Sequence, residues 1–342
     1  MLALTVQRET AGCALALREL PEPSREDGDV LVQTLAVGVC GTDREIAAGR
    51  LVRPPEGRDW LIIGHESLGR VLEAPSGSGL VPGDLVAGVV RRPDPVPCQF
   101  CAMDQPDMCE NGGYTERGII GRDGFASERF RIEHGDAVRL DPFLGLVGVL
   151  VEPASVVVKA WEQLDQAARR PRRRALVLGA GPIGLLAAML GVQRGLEVHV
   201  VDRAGSGPKP RLARALGAIY HTAPDDVQGA CDAVLECCGE LIGEAVARTA
   251  PTGAVCLVSG DRDLGATISL AELSYDLVHK NKMIIGTVNS NRHHFQAAQK
   301  ALLRADRGWL EGLLTDRVPL PEWRSAFTIN PGHVKTVIQF AT

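Results

Sequence analysis

Apolar and polar positions along the chain fall into two textures. Up to about residue 150 the apolar positions come in short runs, at 30–37, 67–72 and 83–90, divided by Gly, Pro and polar residues. Runs of that length between turn signals predict the strands of a small β-rich domain. From about residue 174 the apolar runs alternate with segments of helical spacing. The pattern predicts strands at 174–179, 197–202, 233–236 and 253–259, and helices at 182–194, 209–216 and 240–250. Such alternation implies βαβ units and a parallel sheet. Further on it predicts a helix near 295–305 and a closing strand at 336–340. The expected class is α/β, a β-rich domain joined to a doubly wound parallel sheet.

Length and composition narrow the picture. A chain of 342 residues with 45% hydrophobic and 23% charged residues suits a two-domain globular protein. It does not suit a disordered tail, a collagen-like fibre or a disulfide-stapled miniprotein. The net charge of −5 argues against a nucleic-acid or anionic-membrane partner. The basic run Arg169-Arg-Pro-Arg-Arg-Arg174 reads as a solvated linker, with a docking patch as the other option. The apolar stretches at 143–151 and 179–192 fall short of the roughly 20 residues that span a bilayer. The first ten residues lack the basic start and apolar run of a signal peptide. A cytoplasmic protein without a membrane segment is therefore expected. In that setting nine cysteines suggest ligands or core thiols before disulfides.

Two motifs carry chemistry. Gly179-Ala-Gly181-Pro182-Ile183-Gly184 fits G-x-G-x-x-G and stands between an expected strand and an expected helix. Gly179 permits the tight turn, Gly181 lets the backbone approach a pyrophosphate, and Gly184 lets helix and strand pack closely. Asp202 ends the next strand, where a carboxylate accepts ribose hydroxyls and repels a 2′-phosphate. NAD is thus expected over NADP, although Arg203 would hold a 2′-phosphate if Asp202 turned away. The second motif is a set of residues far apart in sequence: Cys40, His65 and Glu152. Thiolate, imidazole and carboxylate together suit Zn²⁺ with a coordination position left open. Taken singly, each also reads as a core thiol, a turn histidine or a helix-start carboxylate. A further cluster, Cys98-x₂-Cys101-x₇-Cys109, suggests a structural zinc, with Asp94 as the available fourth ligand.

The order Cys40-Gly-Thr-Asp, Gly64-His-Glu, cysteine lobe, Glu152-Pro153 and glycine turn resembles the zinc-dependent medium-chain alcohol and polyol dehydrogenases. The segments Trp60–Gly69, His279–Ser290, His294-Phe295 and Lys335–Phe340 resemble most the archaeal-type glucose 1-dehydrogenases. The resemblance covers essentially the whole chain. It implies a GroES-like catalytic domain over 1–155, a Rossmann domain over 156–290, and a return of 291–342 to the first domain. It implies zinc-dependent oxidation of a sugar hydroxyl with NAD(P) in a homodimer or homotetramer. It gives Glu66 the role of a fourth, exchangeable zinc ligand and Thr42 that of passing the proton outward. Glu116 and His294 match positions that hydrogen-bond sugar hydroxyls, and Asn289 one near the nicotinamide. Val90 and Val156 stand where some relatives have polar sugar contacts, which leaves another polyol, an amino sugar or a cyclitol open as substrate. A nucleotide-binding sensor without catalysis is the remaining alternative.

Overall fold

The computed structural model describes residues 1–9, 12–260 and 269–340. Its first half is built of antiparallel strands. The strands Val30–Val39, Glu66–Glu73, Leu85–Gly88 and Ala137–Leu140 form neighbouring rungs of a seven-stranded sheet, and Leu2–Glu9 starts a smaller three-stranded one. The second half holds a six-stranded parallel sheet. Its spatial order is Ile219–His221, Glu197–Val201, Arg174–Leu178, Cys231–Glu236, Thr249–Leu257, Met283–Gly286. Numbered from Arg174–Leu178 this is 3-2-1-4-5-6, the doubly wound order, whose crevice opens beside the first strand where the order reverses. The chain then returns. Thr336–Gln339 pairs antiparallel with Val30–Val39 and parallel with Asp316–Pro319, so the C-terminal strands complete the first sheet. The helices Arg292–Leu303 and Arg307–Leu313 precede that return and pack on Val151–Ala167 and Pro208–Ala215.

The helix Val151–Ala167 is the joint between the halves. Val151, Ala154, Val157, Trp161 and Leu164 on it are buried in one core with Leu68, Leu85 and Val138 of the first sheet and Val177, Leu186 and Val198 of the second. The Trp161 indole N–H donates to the Ala187 carbonyl at 3.1 Å, so the ring is buried with its polar atom satisfied. A 3₁₀ run, Pro142–Leu150, leads into this helix. The combined 26 residues are long and apolar enough to cross a membrane, but 78% of that window is buried inside the protein. The sequence pattern shows only the apolar part of the run, because Glu152, Lys159 and Glu162 interrupt it.

One expected helix is much shorter than the pattern suggests. Residues 240–250 form a helix only over Ile242–Ala247, and the next strand begins at Thr249. Pro251 is the cause: the residue before a proline is pushed out of helical geometry, so the helix must stop before Ala250.

Candidate metal centre and dinucleotide cleft

The strand Val30–Val39 delivers Cys40 to the start of the short helix Gly41–Ala47. The turn before Glu66–Glu73 delivers His65 and Glu66 to the same place, because Gly38 and Glu66 are register partners across the two strands. Cys40 Sγ lies 3.2 Å from His65 Nε2. Ligand atoms of Cys40, His65 and Glu66 all lie within 4.8 Å of one another. Gly38 is required here: a Cβ on it would come 2.0 Å from Glu66 Oε2. Glu152 is buried at the first turn of the joint helix and shares this electrostatic environment. It is thus Glu66, more closely than Glu152, that joins the thiol and the imidazole. Thr42 sits half-buried on the first turn of the same short helix as Cys40.

Two residues without a role in the sequence reading complete the centre. Asp43 accepts the Cys40 backbone N–H at 2.9 Å and faces His65 Nδ1 at 3.5 Å. That leaves Nε2 for a metal and gives the imidazole a carboxylate behind it. Lys335 is fully buried, donates to the Val39 carbonyl at 3.1 Å, and forms an ion pair with Glu66. Burial alone would lower the His65 pKa, but the Cys40 and Asp43 charges overturn this and hold it well above its ordinary value. Burial raises the Cys40 thiol. Glu152 is pushed up to about 7 by burial, with the Glu66 charge adding to it against His65 and Lys335. Cys40, Asp43, Glu66 and Glu152 can bring four negative charges into a space where Lys335 supplies one positive charge. Buried charge of one sign is costly unless compensated, and a divalent cation among these donors compensates it. The soft thiolate and the imidazole make zinc the fitting ion.

Further along the joint helix, spacings of three and four residues put Glu152, Ser155, Lys159 and Glu162 on one face. Each meets a partner from another segment. The Ser155 hydroxyl donates to the Glu152 carbonyl and pairs with Ser290, both at 2.6 Å. Lys159 makes a buried ion pair with Asp107 at 2.7 Å and donates to the Val288 carbonyl at 3.0 Å. Asp107 also accepts the Asn291 amide at 2.9 Å. His294 accepts the Asn291 backbone N–H through Nδ1 and meets Glu162 through Nε2 at 3.1 Å. Burial lowers the His294 pKa. Asp107, Lys159, Asn291 and His294 line one side of a groove of about 410 Å³. Glu116 lies outside the groove lining and is held elsewhere in the network. It accepts two N–H groups of Arg91 at 2.8–2.9 Å and the Asn289 amide at 2.6 Å. Arg91 also donates to the Asp107 carbonyl, which links Glu116 to the His294 side. The structure thus brings Asn289 and Glu116 into direct contact and reaches His294 only through Asp107 and Asn291.

The glycine turn has the geometry that its pattern implies. Gly179 has φ +97°, where glycine alone is unstrained. A Cβ on Gly184 would lie 1.8 Å from the Gly179 carbonyl oxygen, whereas one on Gly181 would meet nothing within 4 Å. Gly181 therefore faces open space at the N-terminus of the helix Pro182–Gln193, with Pro182 in its first position and Ile183 half-buried against the core. Unpaired N–H groups at such a helix start suit a pyrophosphate, so the residues fit a dinucleotide. Asp202 departs from expectation. Its oxygens accept the N–H groups of Ala180 at 2.9 Å and Ala204 at 3.0 Å, and Lys209 stands at 3.2 and 3.4 Å from them. The Arg203 side chain is 91% exposed.

In the cysteine lobe, Sγ atoms of Cys98, Cys101 and Cys109 lie within 4.8 Å of one another. The Cys98 thiol is lowered to about 7, chiefly by the Cys101 and Glu110 backbone N–H groups. Asp94, the expected fourth ligand, is not in this cluster. Its two oxygens accept the N–H groups of Val96 and Gly113 at 2.8 Å, so the carboxylate closes the lobe's backbone. The run 169–174 is not a free cationic patch either: Arg170 pairs with Asp232, Arg172 with Asp165 and Arg174 with Glu197.

Asp43, Asp107, Lys159, Lys209 and Lys335 were the residues that sequence reasoning missed. Two of them carry a readable signal. Lys159 lies inside Val156-Val-Val-Lys-Ala-Trp161 and Lys335 inside Val334-Lys-Thr-Val-Ile338. A lone charge in an apolar run is seldom buried unless it is paired.

Comparison with known proteins agrees with this geometry. Residues 145–340 match the family model of the glucose dehydrogenase C-terminus, and residues 26–142 that of the alcohol dehydrogenase GroES-like domain. A glucose 1-dehydrogenase of Thermoproteus tenax is 38% identical, with 96% of each chain covered. One of Methanocella arvoryzae is 36% identical over 95% of this chain and 96% of its own. Among solved structures, Haloferax mediterranei glucose dehydrogenase in complex with NADP, zinc and gluconolactone is 33% identical, covers both chains fully and superposes with a TM-score of 0.90.

Proposed function

Since the chain belongs to the zinc-dependent medium-chain dehydrogenases, in their glucose dehydrogenase branch, we propose that it oxidises a sugar hydroxyl with NAD(P). The observation that carries this is the buried meeting of Cys40, His65 and Glu66 in a chain that also bears an intact dinucleotide turn. When bound, zinc polarises the substrate hydroxyl and lowers its pKa, and the nicotinamide takes up the hydrogen lost from carbon. Cys40, His65 and Glu66 hold the ion, with Glu152 as the further carboxylate. Asp43 keeps the His65 ring turned so that Nε2 faces the metal. Lys335 balances Glu66 and fixes its side chain. The Thr42 hydroxyl carries the substrate proton outward. Glu116 and Asn289 orient the sugar and the nicotinamide end, and His294 contributes to the sugar side.

A second substrate reading, another polyol, an amino sugar or a cyclitol, is favoured by the apolar side chains of Val90 and Val156. The three thiols of the lobe support a second, structural zinc without Asp94 as ligand. The edge strand Met283–Gly286, with exposed Tyr275, Val278 and Val288 nearby, supports pairing of two copies. Nine unpaired cysteines support a reducing, cytoplasmic setting. The test is a panel of aldoses, amino sugars, polyols and cyclitols with NAD and with NADP, before and after chelation. Metal-dependent turnover of an aldose supports the first reading. Turnover of only a cyclitol or polyol supports the second, and turnover undiminished without metal overturns both.

A further inference from the structure

Asp202 is the residue that a dinucleotide site of this kind uses to read the adenosine ribose. An NAD-only site needs this carboxylate to accept the ribose hydroxyls and to present unbalanced negative charge to any 2′-phosphate. In this chain neither condition holds. One oxygen accepts the Ala180 N–H and the other the Ala204 N–H, so each already has a backbone donor. The Lys209 ammonium lies 3.2 and 3.4 Å from the two oxygens and neutralises the charge. The pair is shielded but not sealed, with side chains 19% and 13% exposed.

The surroundings hold this arrangement in place. The Tyr220 hydroxyl lies 2.6 Å from the Ala204 carbonyl and 3.2 Å from that of Asp202, which fixes the turn after the strand. Lys209 is the second residue of the helix Pro208–Ala215. The loop before it has room: a Cβ on Gly205 or Gly207 would meet nothing within 4 Å. Arg203 stands at the same end of the strand, 3.9 Å from an exposed Glu240. If the Lys209 side chain leaves Asp202, the carboxylate keeps both backbone donors and is not orphaned. The ammonium is therefore free to follow an incoming anion at little penalty.

We propose that Lys209 decides which adenosine ribose this chain accepts: it cancels the Asp202 charge and supplies a cation to the 2′-phosphate, so that NADP is admitted alongside NAD. This rests on the dinucleotide reading above. The test uses calorimetric titration of the full-length protein with 2′,5′-ADP and with 5′-AMP, which carry the two riboses without the nicotinamide. The unaltered protein should bind 2′,5′-ADP at least as tightly as 5′-AMP. Raising salt from 50 to 500 mM should weaken the former more than the latter. Lys209→Met should weaken 2′,5′-ADP tenfold or more and change 5′-AMP by less than twofold, while Lys209→Arg should keep most of the 2′,5′-ADP affinity. The proposal is overturned if Lys209→Met leaves 2′,5′-ADP within twofold, if it weakens both nucleotides alike, or if the unaltered protein binds 5′-AMP tenfold more tightly. Failure of the unaltered protein to bind either nucleotide would instead overturn the dinucleotide site itself, and the proposal with it.

Discussion

Replacing Lys159 with Met keeps the length and apolar stem of the side chain and removes only its charge. In the folded protein Lys159 and Asp107 are both almost wholly buried, with side chains 5% and 1% exposed and 2.7 Å between nitrogen and oxygen. Without the ammonium, the Asp107 carboxylate keeps one side-chain donor, the Asn291 amide. The Val288 carbonyl loses its lysine donor. Removing one partner of a buried pair destabilises by about 3–5 kcal/mol, because the charge left behind is uncompensated. For a chain of this size unfolding as one unit, that is a fall in melting temperature of about 4–7 °C. The assay is thermal unfolding of Lys159→Met, of Asp107→Asn and of the double variant. The double variant should recover more than half of the loss, since it leaves no orphaned charge. A loss under about 1 kcal/mol for Lys159→Met would mean that water already screens the pair. A double variant no better than the single one would mean that packing, not charge, sets the loss. Either result refutes the reasoning.

Two other outcomes follow from the site. Metal binding must displace protons held by Cys40, by His65 and by Glu152, whose pKa is about 7. Zinc affinity should therefore fall steeply as pH drops below 7, with proton release measurable on adding zinc to chelated protein; pH-independent affinity between 6 and 8 would contradict this. In the metal-free lobe, Cys98, whose thiol sits near 7, should alkylate ahead of Cys101, which burial raises, and zinc should protect it. Peptide mapping that finds Cys101 modified first, or no protection by zinc, would count against a metal in the lobe.

The two domains were legible because their signals are local. A glycine turn between strand and helix, and apolar runs at strand length, depend on neighbours a few residues apart. The zinc residues were legible only through their types and order, since Cys40, His65 and Glu152 meet by strand register and by the joint helix. What stayed hidden was the pairing of charges across segments. Nothing near Asp94 says that its oxygens cap Val96 and Gly113, and nothing near Asp202 says that Lys209 will fold back onto it. The shortened helix over Ile242–Ala247 was readable, since Pro251 dictates it. The helix Val151–Ala167 was obscured because the charges that serve the site interrupt its apolar stripe.

The central claim is that one metal ion joins Cys40 to His65 through Nε2. Anomalous diffraction at the zinc edge on crystals of the zinc-loaded protein tests it directly. The account requires a peak about 2.3 Å from Cys40 Sγ and about 2.0–2.1 Å from His65 Nε2, with a Glu66 or Glu152 oxygen completing the protein donors. A zinc-loaded crystal with no peak there, or with the ion on His65 Nδ1, would contradict it.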